Sequence, residues 1–280
     1  MEEFVHITSG GEQLLGVWTE PDVPKRVPAT VVTLAGWGGY RIGPHRIIVK
    51  LCRALAAAGV ASLRFDFRGR GDSTGDQKDT TLDMMIEDAC RAVEFARVRA
   101  PENRVTLWGI CSGSNVAIGA ATLKPEAREL VLLSCLPFMQ QKVVSEKVAR
   151  TKTQAGNYFR KLFRLATWKK LFTGAVNFGN VKKALFGHYG KPKDAARDPR
   201  DSARDILAEF ASYEGRAHFV YGGADREAAG AGEHYRTFTG QHNIAADFET
   251  LDGANHDFYS LAWEHAIIER TVHWVTESAG

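Results

Sequence analysis

The stretch TLWGICSGSN, Thr106 to Asn115, places the end of an apolar, β-branched run directly against small residues able to open a helix. A chain that turns this sharply from strand to helix needs small residues where the backbones of the two elements meet. Around Cys111 the positions two before and two after are Gly109 and Gly113, which meet that need. Around the neighbouring Ser112 they are Ile110 and Ser114, and a β-branched isoleucine does not fit the crowded position. The register therefore makes Cys111 the residue at the bend. A side chain there projects from the carboxyl end of a buried strand with a helix N-terminus behind it, a place suited to a nucleophile. Ser112 would offer its backbone N–H as an oxyanion donor.

The surrounding pattern predicts the sheet that such a bend requires. Residues 2–20 alternate around Ser9-Gly10-Gly11 and read as an antiparallel hairpin ending before Pro21. Nearly continuous apolar runs at Ala29–Gly36, Val60–Phe67, Arg104–Cys111, Glu129–Cys135, Ala217–Gly223 and Ala246–Gly253 read as strands, mostly buried on both faces. Helical periodicity fills Ile47–Ala58, a stretch capped by Thr80 and running to Arg97, the residues after Cys111 to Leu123, and Tyr259–Glu277. Alternating strands and helices imply parallel βαβ units with helices on both faces of one sheet. Only helical patterns occupy roughly 136–215, so the expected organisation is a core of 1–135 and 216–280 with an inserted helical cap at 136–215.

A net charge of +3 conceals an uneven distribution. Gln140–Arg204 holds 16 Lys/Arg and four Asp/Glu, while the remainder holds 20 basic and 29 acidic residues. Such asymmetry suggests a surface for an anionic partner or, as plainly, a solvated helical face. Within it, Tyr158–Phe172 gathers Phe159, Leu162, Phe163, Ala166 and Trp168 near one helical side, with Arg160, Arg164, Lys169 and Lys170 largely elsewhere. The four cysteines lie 38, 21 and 24 residues apart, spacing that fits neither a zinc site nor a disulfide framework, and no metal or other cofactor is implied. An acidic N-terminus without an apolar segment and the absence of a long apolar run point to a cytoplasmic protein with reduced thiols. No nucleic-acid-binding motif accompanies the basic charge, and oligomeric state is not readable.

A thiol nucleophile needs a base and a group to orient it. Of nine histidines, His256 alone occupies a loop after the last strand and before the last helix; His218 falls in a strand, and His265 and His273 in the final helical pattern. Asp225 follows the strand HFVYGGAD and is the expected orienter. Its competitors are Asp252, which suits the turn DGANH, Asp257, which adjoins the histidine, and Glu227. A second oxyanion donor is expected from the glycine-rich loop AGWGGYRIGPHR, Ala35–Arg46, with the Trp37 N–H preferred.

With GICSG, DFRGRGDSTG, VYGGAD and GANHDF in place, the chain resembles the α/β-hydrolase superfamily over nearly its full length. More narrowly, GWGGYRIGPHR, LRFDFRGRGDS and LWGIC resemble hydrolases associated with bacterial exosortase systems. The resemblance implies a mostly parallel sheet of about eight strands with a cap. Dienelactone hydrolases and polyhydroxyalkanoate synthases also carry cysteine at the centre of Gly-x-Cys-x-Gly, and the role of Cys111 alone carries over from them. This chain lacks the length of the synthases, and its basic insertion is foreign to a compact dienelactone hydrolase.

The expected chemistry is acyl transfer or hydrolysis through a Cys111 acyl-enzyme, on a thioester presented by coenzyme A or an acyl carrier protein. Both carriers are anionic, and Arg160, Lys161 and Arg164 are the candidate contacts for them. Hydrolysis of an activated or lactone ester is the nearest enzymatic alternative. A degenerate hydrolase serving as a binding module, and a cap that rests on a membrane surface, are the readings from other classes.

Overall fold

The computed structural model describes residues 1–21, 23–138 and 198–277. Gly10 and Gly11, with φ of 55° and 86°, make the two-residue turn that pairs Ser9 with Glu12. Positive φ at both centres matches the twist of the flanking strands, β1 (Glu2–Ser9) and β2 (Glu12–Thr19). Next come β3 (Ala29–Leu34), α1 (Ile47–Ala57), β4 (Ala61–Phe65), α2 (Leu82–Arg99), β5 (Arg104–Ile110), α3 (Ser112–Ala121) and β6 (Glu129–Leu133). After the second described break the chain forms α4 (Ile206–Phe210), β7 (Arg216–Gly222), α5 (Ala231–Gln241), β8 (Ala245–Leu251) and α6 (Leu261–Glu277). The eight strands form one sheet in the order β1-β2-β4-β3-β5-β6-β7-β8. β2 runs antiparallel to both its neighbours, and the remaining pairs are parallel.

Every residue of β3, β4 and β6 is buried, as a parallel sheet covered on both faces demands. Alternation along β5 divides the interior. Val105 and Leu107 join a core with Met85, Val93, Val116 and Phe210. Trp108 and Ile110 point the other way, among Ile47, Leu51, Leu55 and Ile267. Helices α2 to α5 thus lie on one face of the sheet, and α1 and α6 on the other. The carboxyl ends of the parallel strands open along one edge, where open sheets of this kind place their chemistry.

Three details depart from the sequence reading. The cap of α2 is Thr81, whose side chain accepts from the Met84 N–H at 3.3 Å, while the Thr80 hydroxyl donates to the Asp76 carbonyl at 3.1 Å. Helix α5 is not among the expected elements, because only Ala231, Tyr235 and Thr239 are buried and two glycines dilute its pattern. Met1–Phe138 and Ser202–Gly280 form one compact unit, so the core resumes earlier than position 216. The cause is α4: Ile206 and Phe210 are buried, and Phe210 stacks on Phe238 with ring centroids 6.1 Å apart. The remainder of the expected cap, from 139 to 197, lies outside the described residues.

Candidate active site

Cys111 sits between β5 and α3 with φ 56° and ψ −127°, a conformation that costs a residue bearing a Cβ about 1–3 kcal/mol. Packing on both sides leaves the chain no alternative. A Cβ on Gly109 would lie 2.5 Å from the Gly113 carbonyl oxygen, and one on Gly113 would lie 2.2 Å from that of Leu34. Close backbone approach therefore falls two residues to either side of Cys111. The Cys111 N–H donates to the Leu133 carbonyl at 2.8 Å, tying the bend to β6. Of the four free cysteines, Cys111 alone is partly exposed. Burial pushes the Cys52 and Cys90 thiols up to about 11 and Cys135 higher still, which leaves those three unreactive.

His256 arrives from the loop between β8 and α6. Its Nδ1 lies 2.9 Å from Asp225 Oδ2, and the Asp225 side chain is almost wholly buried. The other oxygen, Oδ1, accepts from the N–H groups of Glu227 (3.0 Å) and Ala228 (3.1 Å), so the turn after β7 fixes the carboxylate. Burial opposes its ionisation; bonds from the Ser134 hydroxyl, the Ala228 N–H and His256 outweigh that and hold the carboxyl below the usual range. The single Ser134 hydroxyl proton, just past β6 where φ is 46°, is shared with the His256 carbonyl 3.3 Å away.

With Nδ1 committed to Asp225, Nε2 is left for the sulfur. It is buried and makes no hydrogen bond of good geometry in this conformation. Interaction with Cys111 is nevertheless the largest influence on the ring; Asp225 adds to it, burial opposes it, and the His256 pKa rises to about 9. The imidazole therefore holds a proton more readily than a free ring when it faces the sulfur. Glu227 approaches Nε2 only to 3.9 Å and is largely exposed. Asp252 is exposed at the turn, and the Asp257 side chain is exposed beside the histidine, so Asp225 is the carboxylate that reaches the ring.

Trp37 differs from expectation. Its N–H, read from sequence as an open oxyanion donor, gives its hydrogen bond to Ser112 Oγ at 2.6 Å. The Ser112 N–H opens α3, where helix geometry leaves the first donors without intrahelical partners. Residues that the sequence reading passed over hold the loop in place. Arg70 donates from Nε to the Trp37 carbonyl at 2.5 Å, with its guanidinium carbon 5.2 Å from the indole centroid. Buried Asp66 accepts from the Arg41 N–H at 2.7 Å and the Asp72 N–H at 3.0 Å, and also pairs with the Arg41 guanidinium. Arg68 donates twice to fully buried Asp88, from Nε at 2.9 Å and Nη2 at 2.6 Å. The quoted motif DFRGRGDSTG is thus a scaffold of paired charges, a signal that could have been sought in its arginines.

A cleft of about 620 Å³ joins these parts, lined among others by Trp37, Tyr40, His45, Arg46, Cys111 and His256. Among the described residues no group of His, Cys, Asp and Glu is arranged as a metal site, and no helix is long and apolar enough to cross a membrane. Arg160, Lys161 and Arg164, and the amphipathic stretch around them, lie outside the described residues.

Comparison with known proteins bears on the fold and the family. The dienelactone hydrolase of Anabaena variabilis superposes with a TM-score of 0.64 at 14% identity, covering 99% of this chain and 97% of that one. An esterase of Pyrococcus furiosus gives 0.65 at 20%, covering 100% and 91%. At such identities the likeness shows the fold, which is the α/β-hydrolase fold. Among sequences, lysophosphatidylserine lipase ABHD12 of Xenopus tropicalis is 33% identical over 100 residues, 36% of this chain and 24% of that protein. The match thus spans about a quarter of that relative's length. The family model described as serine aminopeptidase, S33, matches residues 44–259, which take in the elbow, Asp225 and His256. The chain accordingly belongs to that family and is an enzyme of the α/β-hydrolase type.

Proposed function

We propose that the enzyme transfers acyl groups through a thioester on Cys111, acting as a thioesterase or acyltransferase on acyl thioesters. The observation that carries this reading is the meeting of the strained, partly exposed Cys111 with a His256 ring whose far nitrogen is held by Asp225. In the forward step the Cys111 thiol gives its proton to His256 Nε2 as the sulfur attacks the substrate carbonyl carbon, the carbon–oxygen π pair moves to oxygen, and the Ser112 N–H supports the oxyanion. As the tetrahedral intermediate collapses, the substrate's carbon–sulfur bond breaks and the leaving thiolate takes the proton from His256 Nε2. Neutral His256 then removes a proton from water, amine, hydroxyl or thiol as that acceptor attacks the acyl-enzyme, which returns the Cys111 sulfur. The Trp37 N–H joins the oxyanion hole only if the Ser112 hydroxyl turns away from it.

Cysteine rather than serine favours thioesters, because a thiolate leaves more readily than an alkoxide. Attack on an unactivated alkyl ester reverts, whereas exchange between two thioesters is balanced. The positive charge of Gln140–Arg204 supports an anionic substrate carrier, coenzyme A or an acyl carrier protein, with Arg160, Lys161 and Arg164 as its contacts. The structural likeness to a dienelactone hydrolase favours a second reading, hydrolysis of activated or lactone esters by the same residues.

Intact-protein mass spectrometry after exposure to acetyl and longer acyl coenzyme A thioesters tests the proposal. The expected result is a gain of one acyl group, lost in Cys111→Ala and accumulating at a rate lowered by about 100-fold or more in His256→Ala. An adduct retained in Cys111→Ala would move the nucleophile to Ser112, and no adduct with any thioester would leave the ester reading.

A further inference from the structure

His45 lies on the same loop as Trp37 but makes its bonds with the other half of the site. Its Nδ1 is 2.7 Å from Glu264 Oε2 at the start of α6, and its Nε2 is 2.7 Å from the carbonyl oxygen of Asp257, the residue after His256. Lys50 from α1 holds both oxygens of the same Glu264, at 2.7 and 2.8 Å, and the carboxylate is buried. Burial opposes ionisation of Glu264, but Lys50 and His45 outweigh it and keep the carboxyl below the usual range. A carbonyl and an ionised carboxylate both only accept hydrogen bonds. Each ring nitrogen of His45 thus faces an acceptor, and Nε2 is the donor to the Asp257 carbonyl. The other groups around it are the Tyr259 ring, edge-on at 6.1 Å, and the exposed Arg46 and Asp257 side chains.

The backbone at both ends of this bridge is unfavourable on its own. His45 and Arg46 have φ of 39° and 69°, and buried Phe258, which follows the bonded carbonyl, has φ 51°. A bulky residue with positive φ persists only where its surroundings impose it. Ser134 holds the His256 loop from the β6 side, through the His256 carbonyl. The bond from His45 holds it from the side of the glycine-rich loop, one residue further on. The two halves of the site are thereby tied to each other as well as to the sheet.

We propose that His45 is a positioning residue: by donating from Nε2 to the Asp257 carbonyl it sets His256 against Cys111. This rests on the reading of His256 as the base of a Cys111 acyl transfer. Two isosteric changes separate the halves of the bridge. Asparagine places its amide nitrogen where Nδ1 lies, keeps the Glu264 bond and accepts positive φ readily. Glutamine places its amide nitrogen where Nε2 lies and keeps the bond to Asp257.

The test measures the acylation rate with acetyl coenzyme A, and the pH profile of Cys111 alkylation by iodoacetamide, in folded protein of each variant. His45→Asn is expected to lower kcat about ten-fold with KM within about two-fold, and to displace the alkylation profile, since a displaced base costs rate rather than binding. His45→Gln is expected to stay within about three-fold of the parent, with its profile unmoved. Equal behaviour of the two variants, or losses that follow melting temperature alone, would overturn the proposal. Should His45→Asn not fold at the assay temperature, His45→Ala with added imidazole replaces it: recovered rate supports the link, and no recovery overturns it. Failure of the parent enzyme to acylate at Cys111 would instead count against the acyl-transfer reading, while the alkylation profiles still report on the link.

Discussion

The two loops that meet at the cleft are held in place by opposite means. At the elbow, Gly109-Ile110-Cys111-Ser112-Gly113 has no charged residue, and its shape is enforced by what does not fit: a single methyl at Gly113 would meet the Leu34 and Ala35 carbonyl oxygens at 2.2 and 2.6 Å. Facing it, the Trp37 loop is held by attraction, with Arg70 on its carbonyl, Arg41 on Asp66 and His45 on Glu264. Steric exclusion fixes one backbone path and admits no adjustment. A network of bonds shares the load, so that each member can be removed with a graded loss. The nucleophile sits where the backbone is most rigidly prescribed, and the groups that serve it sit where the backbone is adjustable.

The comparison breaks most easily at its steric side. Gly113→Ala forces backbone against backbone across β3, with no flexible side chain able to yield. We expect a loss beyond about 5 kcal/mol, in the extreme range for point substitutions, and hence no folded protein at ordinary temperature. Circular dichroism and soluble yield check this, and a folded Gly113→Ala with parental melting would mean that the elbow is not sterically fixed.

On the electrostatic side the largest single loss is Arg68→Met. It leaves Asp88 with its side chain fully buried and its charge unpaired, a change that costs about 3–5 kcal/mol when a buried pair is broken from one end. Because Arg68 braces the scaffold and does not touch Cys111, the alkylation rate of Cys111 in the folded fraction should stay near the parental value while the denaturation midpoint falls. A large drop in alkylation without a drop in stability would place Arg68 in the site itself.

The same contrast explains what the sequence disclosed. Steric rules are local, so Gly-x-Cys-x-Gly named the bend and its register before any coordinates. The strand ends that carry Asp225 and His256 were legible because a buried parallel sheet writes itself as apolar runs. Attraction is not local. Glu264 is 219 residues from His45, and Asp88 is 20 from Arg68, with no spacing to announce either pair. The Trp37 N–H looks open in the sequence because a hydroxyl 75 residues away leaves no trace at Trp37. Helix α5 is hidden for another reason: a helix that buries three residues has little periodicity to show. Thr81 rather than Thr80 caps α2: the Thr81 oxygen accepts from the Met84 N–H, while the Thr80 hydroxyl is turned back toward the Asp76 carbonyl.

The smallest expected effect tests the elbow most directly. At φ 56° and ψ −127° Cys111 bears strain of about 1–3 kcal/mol that a residue without a Cβ would not feel. Glycine brings its own penalty, about 0.5–1 kcal/mol of extra chain entropy lost on folding. The difference favours the folded state, so Cys111→Gly should raise stability by about 1 kcal/mol while abolishing acylation. Cys111→Ala abolishes acylation too but keeps the Cβ, and so should not share the gain. Denaturant titration of the two variants side by side decides the matter, since both lose the sulfur and only one loses the strain. If alanine and glycine prove equally stable, the strain is absorbed elsewhere, and the bend is held by Gly109 and Gly113 without any tension at the residue between them.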